Sequence, residues 1–164
     1  MANVKLFVDF WNFQLAWNEH VRPDPGSGLP YVRIAWRSLP QVLIGELPAV
    51  LGPSTNMLYK GTLVYASVDP RPGSKDELLK GFLHNTLGQM TGYQVYVRDR
   101  RHKSDDCPHC AKTIHRMVEK GLDSSIVTDL FGGAINNAYD IAVLVSNDSD
   151  FVPAIKTIQD RLNK

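Results

Sequence analysis

Asp148 and Asp150 stand just beyond the apolar run Ile141-Ala142-Val143-Leu144-Val145, in the segment Ser146-Asn147-Asp148-Ser149-Asp150. A second run, Val4-Lys5-Leu6-Phe7-Val8, ends in Asp9, and Asn12 follows three residues on. Short β-branched apolar runs that stop abruptly at polar residues read as strands buried on both faces, of the kind that build parallel sheets between helices. In open α/β sheets, ligands sit outside the carboxyl ends of such strands. Carboxylates gathered there repel one another unless a proton or a divalent cation intervenes. Protonation is the structural solution. The chemical one is a hard cation on carboxylate oxygens and waters, which makes water nucleophilic at neutral pH and shields a phosphate.

The elements that must hold these residues follow from the patterning. Residues 3–9 form the first strand, and Phe10 to about His20 turns from loop into a short helix. Arg22–Pro30 carries three prolines and two glycines and reads as loop. Leu39–Leu51 is predicted helical, with Pro40 tolerated in its first turn. Gly52–Thr55 is a turn, Leu58–Val68 is strand-rich, and Leu63–Val68 is the second core strand. Asp69–Ser74 breaks the pattern. Ser74 is then a candidate cap for a helix in which Leu78, Leu79, Phe82, Leu83 and Leu87 make the apolar face, with Glu77 completing a capping box. Tyr93–Val97 is a third strand whose alternation predicts less burial. Lys112–Lys120 is a short helix or an extended segment. Ser124–Asn136 is a helix, Ile141–Val145 the fourth strand, and Asp150–Leu162 the closing helix. This alternation predicts a three-layer α/β sandwich around a mainly parallel sheet. Right-handed crossovers put the first strand centrally, beside the fourth, so that Asp9 and Asp148 are neighbours at one sheet edge.

At 164 residues the chain is expected to be a single domain over 1–164, with an insertion around residues 98–118. Its 43% hydrophobic and 21% charged residues match an ordinary globular protein, and a net charge of +1 points to no particular partner. No apolar run reaches the length of a membrane span. No secretory pattern opens the sequence, so a cytoplasmic location is expected by default.

Three blocks give the sequence a specific resemblance: Val8-Asp9-Phe10-Trp11-Asn12-Phe13, Glu119-Lys120-Gly121-Leu122-Asp123, and Val143 to Pro153 (VLVSNDSDFVP). In this order they resemble the NYN domain family, the LabA-like branch of the PIN-like nucleases. The last block is the most specific of them. The resemblance implies a PIN-like parallel sheet with helices on both sides. It also implies metal-dependent hydrolysis of RNA, with Mg²⁺ or Mn²⁺ as cofactor and a 5′-phosphate on the product. Carried over by position, Asp9, Asp123, Asp148 and Asp150 are the candidate acidic residues, and Asn12 lines the pocket. Asp9 and Asp148 are expected as direct ligands, with Asp123 and Asp150 binding directly or through water. Asp129, six residues beyond Asp123, is a weaker candidate. No histidine is placed as a general base, so the ion must supply the nucleophile. Each residue also has a structural reading: Asp150, Asp123 and Asn12 are all candidate helix caps. The family usually continues with another strand and helix where this chain stops at Asn163-Lys164, so either that strand is absent or the sequence is trimmed. An open edge on the fourth strand would then favour a homodimer.

Between the third strand and the second motif lies a shift in composition. Arg98, Arg100, Arg101, His102 and Lys103 fall within six positions, and Lys120 follows later. Such a cluster is a candidate rim for single-stranded RNA phosphates, and Trp11, Phe10, Tyr93 and Tyr96 are candidates for stacking on bases. The alternatives are arginines paired with Asp99, Asp105 and Asp106, and aromatics packed in the core. Cys107-Pro-His-Cys110 has the spacing of half a zinc site. A structural Zn²⁺ needs four ligands, which His102 and His115 would complete; reduced thiols or a disulfide are the other readings. Against the ribonuclease stands a catalytically inactive NYN-fold regulatory or RNA-binding module, and, third, a phosphatase using the same pocket.

Overall fold

The computed structural model describes residues 1–21, 32–53, 56–110 and 112–162. The loop expected over Arg22–Pro30 and the end of the Gly52–Thr55 turn lie outside these residues. Four strands form the main sheet: β1 (Ala2–Asp9), β2 (Met57–Val68), β3 (Tyr93–Asp99) and β6 (Ile141–Val145), in the order β3-β2-β1-β6 and all parallel. The first strand is therefore central and pairs with the last, Val8 opposite Val145. All carboxyl ends lie on one rim, which is where Asp9 and Ser146 emerge.

Period-two alternation sorts the strand side chains into two cores. Phe7, Leu63 and Tyr65 pack against α4 (Leu122–Ile135), through Leu122, Ile126, Leu130 and Ala134, against Phe151, and against Ile158 of α5 (Val152–Leu162). Val8, Val64, Ala66 and Val68 face the other way, onto Phe10 of α1 (Phe10–His20), Trp36, and Leu83 of α3 (Glu77–Asn85). The helix α2 (Leu39–Leu51) joins that side, with the expected proline in its first turn. The result is the three-layer α/β sandwich that the patterning predicts. Among the described residues no helix is long and apolar enough to cross a membrane.

Close packing behind the site is fixed by one buried aromatic. Tyr139 is fully buried, donates to the Leu130 carbonyl at 2.6 Å, and meets Phe7 edge-on. It sits so near α4 that a Cβ on Gly133 would lie 2.7 Å from its ring.

Several local expectations are corrected. β6 is half-buried along its length rather than fully enclosed, because it is an edge of the sheet. The segment expected as loop after β3 is a β-hairpin, β4 (Arg101–Asp106) against β5 (Thr113–Val118), so that the Lys112–Lys120 segment is extended. Leu78 is 88% exposed and does not belong to the apolar face of α3. Ser74 does not cap that helix: its hydroxyl donates to the Asp69 carbonyl at 3.0 Å, and Asp76 occupies the cap position.

Candidate active site

The rim of the sheet gathers carboxylates from three parts of the chain. Asp9 ends β1 with 3% of its surface exposed, in a position that a lone carboxylate could not occupy without donors. Three reach it: the Asn12 amide N–H at 3.3 Å, the Asn12 side-chain Nδ2 at 2.5 Å, and the Ser146 hydroxyl at 3.2 Å. Ser146 also accepts the Asp148 N–H at 3.1 Å. One hydroxyl thus ties the end of β1 to the turn after β6. Asp148 in turn accepts the Asp150 N–H at 2.9 Å and caps the short 3₁₀ turn Ser149–Phe151 that leads into α5.

Capping falls on residues other than those the sequence suggests. Asp9, not Asn12, caps α1, and Asp148, not Asp150, caps the turn into α5. Gly121, in the left-handed conformation at φ 81°, occupies the cap position of α4 and puts Asp123 in its first turn. The two aspartates expected as direct ligands therefore carry structural hydrogen bonds as well.

Charge repulsion links several of these carboxylates. Burial raises the Asp123 carboxyl above its ordinary range, and the charges of Asp9, Asp148 and Asp150 push it further. Burial likewise raises Glu119, against the lowering effect of a hydrogen bond from Ser67, and Asp123 and Asp9 add to the rise. Asp9, Asp148 and Asp150 thus each act electrostatically on Asp123, and Asp9 and Asp123 act on Glu119. Among the described residues, no ion pair neutralises any of the five. Asp129 stands apart, accepting the Tyr65 hydroxyl at 2.7 Å, which assigns it to the packing of α4 on β2.

Glu119 and the two serines escaped the sequence reading as site residues. Ser67, 1% exposed at the end of β2, gives its hydroxyl to Glu119 in a short hydrogen bond. The available signal was position: Glu119 opens the second motif block four residues before Asp123, and Ser146 follows the last apolar run directly.

An unneutralised group of carboxylate oxygens suits a hard divalent ion in kind. Among the described residues, however, no three acidic, histidine or cysteine side chains are disposed to hold one ion directly. The hydrogen bonds above direct Asp9 toward Asn12 and Ser146 and one Asp148 oxygen toward Asp150. Mg²⁺ commonly keeps several waters and reaches a protein through one or two carboxylates, so the donor set fits an ion held largely through water.

The basic residues scatter. Arg98 reaches back to α4, its Nη1 lying 3.3 Å from where a Gly121 Cβ would be. Arg100 is part-buried, with its guanidinium carbon 4.9 Å from the centre of the Trp11 ring. Arg101 and Lys103 are exposed on β4, where Lys103 pairs with Asp105 at 3.0 Å. Lys120 is exposed beside Glu119. Among the aromatics, Phe10 stacks on Trp36 in the core and Tyr93 donates to the Trp36 carbonyl, while Tyr96 stacks on Tyr65 with 37% of its surface exposed.

The expected zinc set does not assemble. His102 and His115 face each other across the hairpin with ring centroids 5.2 Å apart. Cys107 and Cys110 are free thiols in the turn at its tip. His102 is five residues before Cys107 along an extended strand, about 16 Å at the usual rise. One tetrahedral ion cannot span that gap. The amide groups of His109 and Cys110, with the Cys110 thiol, hold the Cys107 thiol below its ordinary pKa.

A family model described as the NYN domain matches residues 46–164, a span that holds Glu119, Asp123, Asp148 and Asp150 and leaves β1 with Asp9 outside it. No curated protein and no solved structure matches the chain.

Proposed function

This chain belongs to the NYN domain family, and we propose that it is a metal-dependent endoribonuclease of the LabA-like branch that hydrolyses single-stranded RNA with Mg²⁺ or Mn²⁺. The observation that carries this is the coupling of Asp9 to Asp148 through Ser146, with Asp123 destabilised by the charges of both. Helix caps alone would not need Asp9, Asp148 and Asp150 all placed where their charges act on Asp123, with no ion pair to any of them among the described residues.

In this reading Asp9 and Asp148 would hold the ion, and Asp123 and Asp150 would reach it through water. The bound ion supplies a water activated at neutral pH and shields the phosphate. Asn12 fixes the Asp9 carboxylate by donating two hydrogen bonds to it, so that the ligand is positioned before substrate arrives. Ser146 locks the spacing between the two strand ends. Glu119 and Asp123, both raised, are suited to orient the attacking water and take up its proton. Arg98 and Lys120, beside the Glu119–Asp123 segment, supply cationic contacts for the RNA backbone, and Arg101 and Lys103 extend them along the hairpin.

The test is incubation of the pure protein with labelled single-stranded RNA in Mn²⁺, in Mg²⁺ and in chelator. Cleavage in the metals and none in chelator is expected; cleavage indifferent to chelator would remove the mechanism. One observation favours a second reading, an inactive RNA-binding module: no three site carboxylates converge on a single point. RNA binding with no cleavage in either metal would select it.

A further inference from the structure

The loop between β2 and α3 forms, with Arg100, an open cleft of about 560 Å³. Arg71, Lys75 and Arg100 line it together with Asp69 and Asp76, three cations to two carboxylates. Arg100 is its inner wall. Nε donates to the Ser67 hydroxyl at 3.1 Å, Nη2 to the Ser67 carbonyl at 3.3 Å, and Nη1 to Asp76 at 3.1 Å. The same Ser67 hydroxyl holds Glu119, and Arg100 acts electrostatically on Glu119. The cleft and the carboxylate centre are therefore two sides of one Ser67–Arg100 partition, both on the carboxyl rim of the sheet.

We infer that this cleft is a subsite for a non-scissile phosphate of the RNA strand whose cleaved phosphate lies at the carboxylate centre, an inference that rests on the ribonuclease reading. The side chains have the matching chemistry. Arg71 is two-thirds exposed and lies against Asp69 as a fork, Nε at 2.9 Å and Nη2 at 2.5 Å. A phosphate presents the same pair of oxygens and competes for that fork. Lys75 is exposed and, among the described residues, forms no ion pair, so its charge is open to a backbone phosphate. Trp11, whose ring nitrogen donates to the Ser67 carbonyl, is covered by Arg100, which directs the cleft to phosphate rather than to a base stacked on that ring. Asp69 restrains the site by occupying Arg71.

This arrangement predicts substitutions of opposite sign. A short fluorescent oligouridylate is titrated onto the full chain in chelator, where no cleavage occurs, over a series of salt concentrations. Each phosphate contact on a single strand contributes about 0.7 to the slope of log K against log salt. Lys75→Gln should flatten the slope by about 0.7, and Asp69→Asn, by freeing Arg71, should steepen it by a similar amount and tighten binding. Lys156→Gln, the same charge change on α5, should leave the slope as it is. A Lys75→Gln slope equal to wild type, or Asp69→Asn binding no tighter than wild type, overturns the subsite, as does failure of the wild type to bind the oligouridylate. Inorganic phosphate bound tightly by a chain whose RNA slope ignores both substitutions would identify a free-anion site and equally overturn it. The two proposals fail separately. Slopes that move as stated without cleavage in Mn²⁺ sink the ribonuclease and keep the phosphate site. Cleavage with unmoved slopes does the reverse.

Discussion

Asp148 holds two jobs that substitution separates. As a cap it accepts the Asp150 N–H at 2.9 Å on Oδ1. As a proposed ligand it offers negative charge, which presses on Asp123. Asparagine keeps the cap oxygen and loses the charge; alanine loses both. Losing a cap costs about 1 kcal/mol, and Asn and Asp cap equally well. In a chain of this length that is about 3 °C in Tm. In chelator, Asp148→Ala should melt about 3 °C below Asp148→Asn. Asp148→Asn itself should melt at or above wild type, since it relieves Asp123 of a like charge. With Mn²⁺ at a hundred times its Kd, the wild type should gain about 2.7 kcal/mol. That gain corresponds to about 5–11 °C. Asp148→Asn should lose most of the gain and all RNA cleavage. Thermal melts of the three proteins with Mn²⁺ and with chelator, beside a cleavage assay, measure every quantity. An Asp148→Asn chain that gains as much from Mn²⁺ as wild type refutes the ligand role. Equal melting of the Asn and Ala variants in chelator refutes the cap.

The raised carboxyls of Glu119 and Asp123 set a pH dependence. Between their unfolded and folded values the folded chain holds more protons than the unfolded one, so their contribution to stability falls as pH rises through that window and is level above it. Melts in chelator across the carboxylate range should show that decline relative to a Glu119→Gln/Asp123→Asn chain, and Mn²⁺ should bind more tightly as pH rises. Gly133→Ala drives a methyl to 2.7 Å from the Tyr139 ring and should cost about 1–3 kcal/mol, read by urea denaturation. Cys107, its thiol lowered by the His109 and Cys110 amides, should be alkylated faster than Cys110 at neutral pH, followed by mass spectrometry of the Cys107→Ser and Cys110→Ser chains.

The layers and the pairing of the first and last strands were legible because β1, β2 and β6 are short apolar runs that end in polar residues. The positions of Asp9 and Asp148 followed from that ending alone. The caps were not legible, since proximity to an apolar run favours Asp150 over Asp148, whereas the 3₁₀ turn before α5 moves the first helical N–H groups toward β6. The hairpin was hidden for a different reason. Arg101–Asp106 is charged or polar throughout, and all but Asp105 are exposed, so no alternation marks the strand. Its pairing is supported across the strands instead, by Asp105 bound to Arg116 at 2.7 Å and by Thr113 donating to Asp106 at 2.9 Å. Glu119 stands at no apolar strand end, so only its place in the second motif block hinted at it, and the hydrogen bond from the Ser67 hydroxyl, 52 residues earlier, shows where it belongs.

The hydroxyl that joins Ser146 to Asp9 bridges 137 positions of the sequence. During synthesis, β1, β2 and β3 leave the ribosome well before β6 exists, and the sheet's central strand waits for its last neighbour. A nascent chain therefore carries Asp9 without the partner that would arm it. On the ribonuclease reading, the chain would in this way stay harmless to the ribosome and its message until β6 has been made.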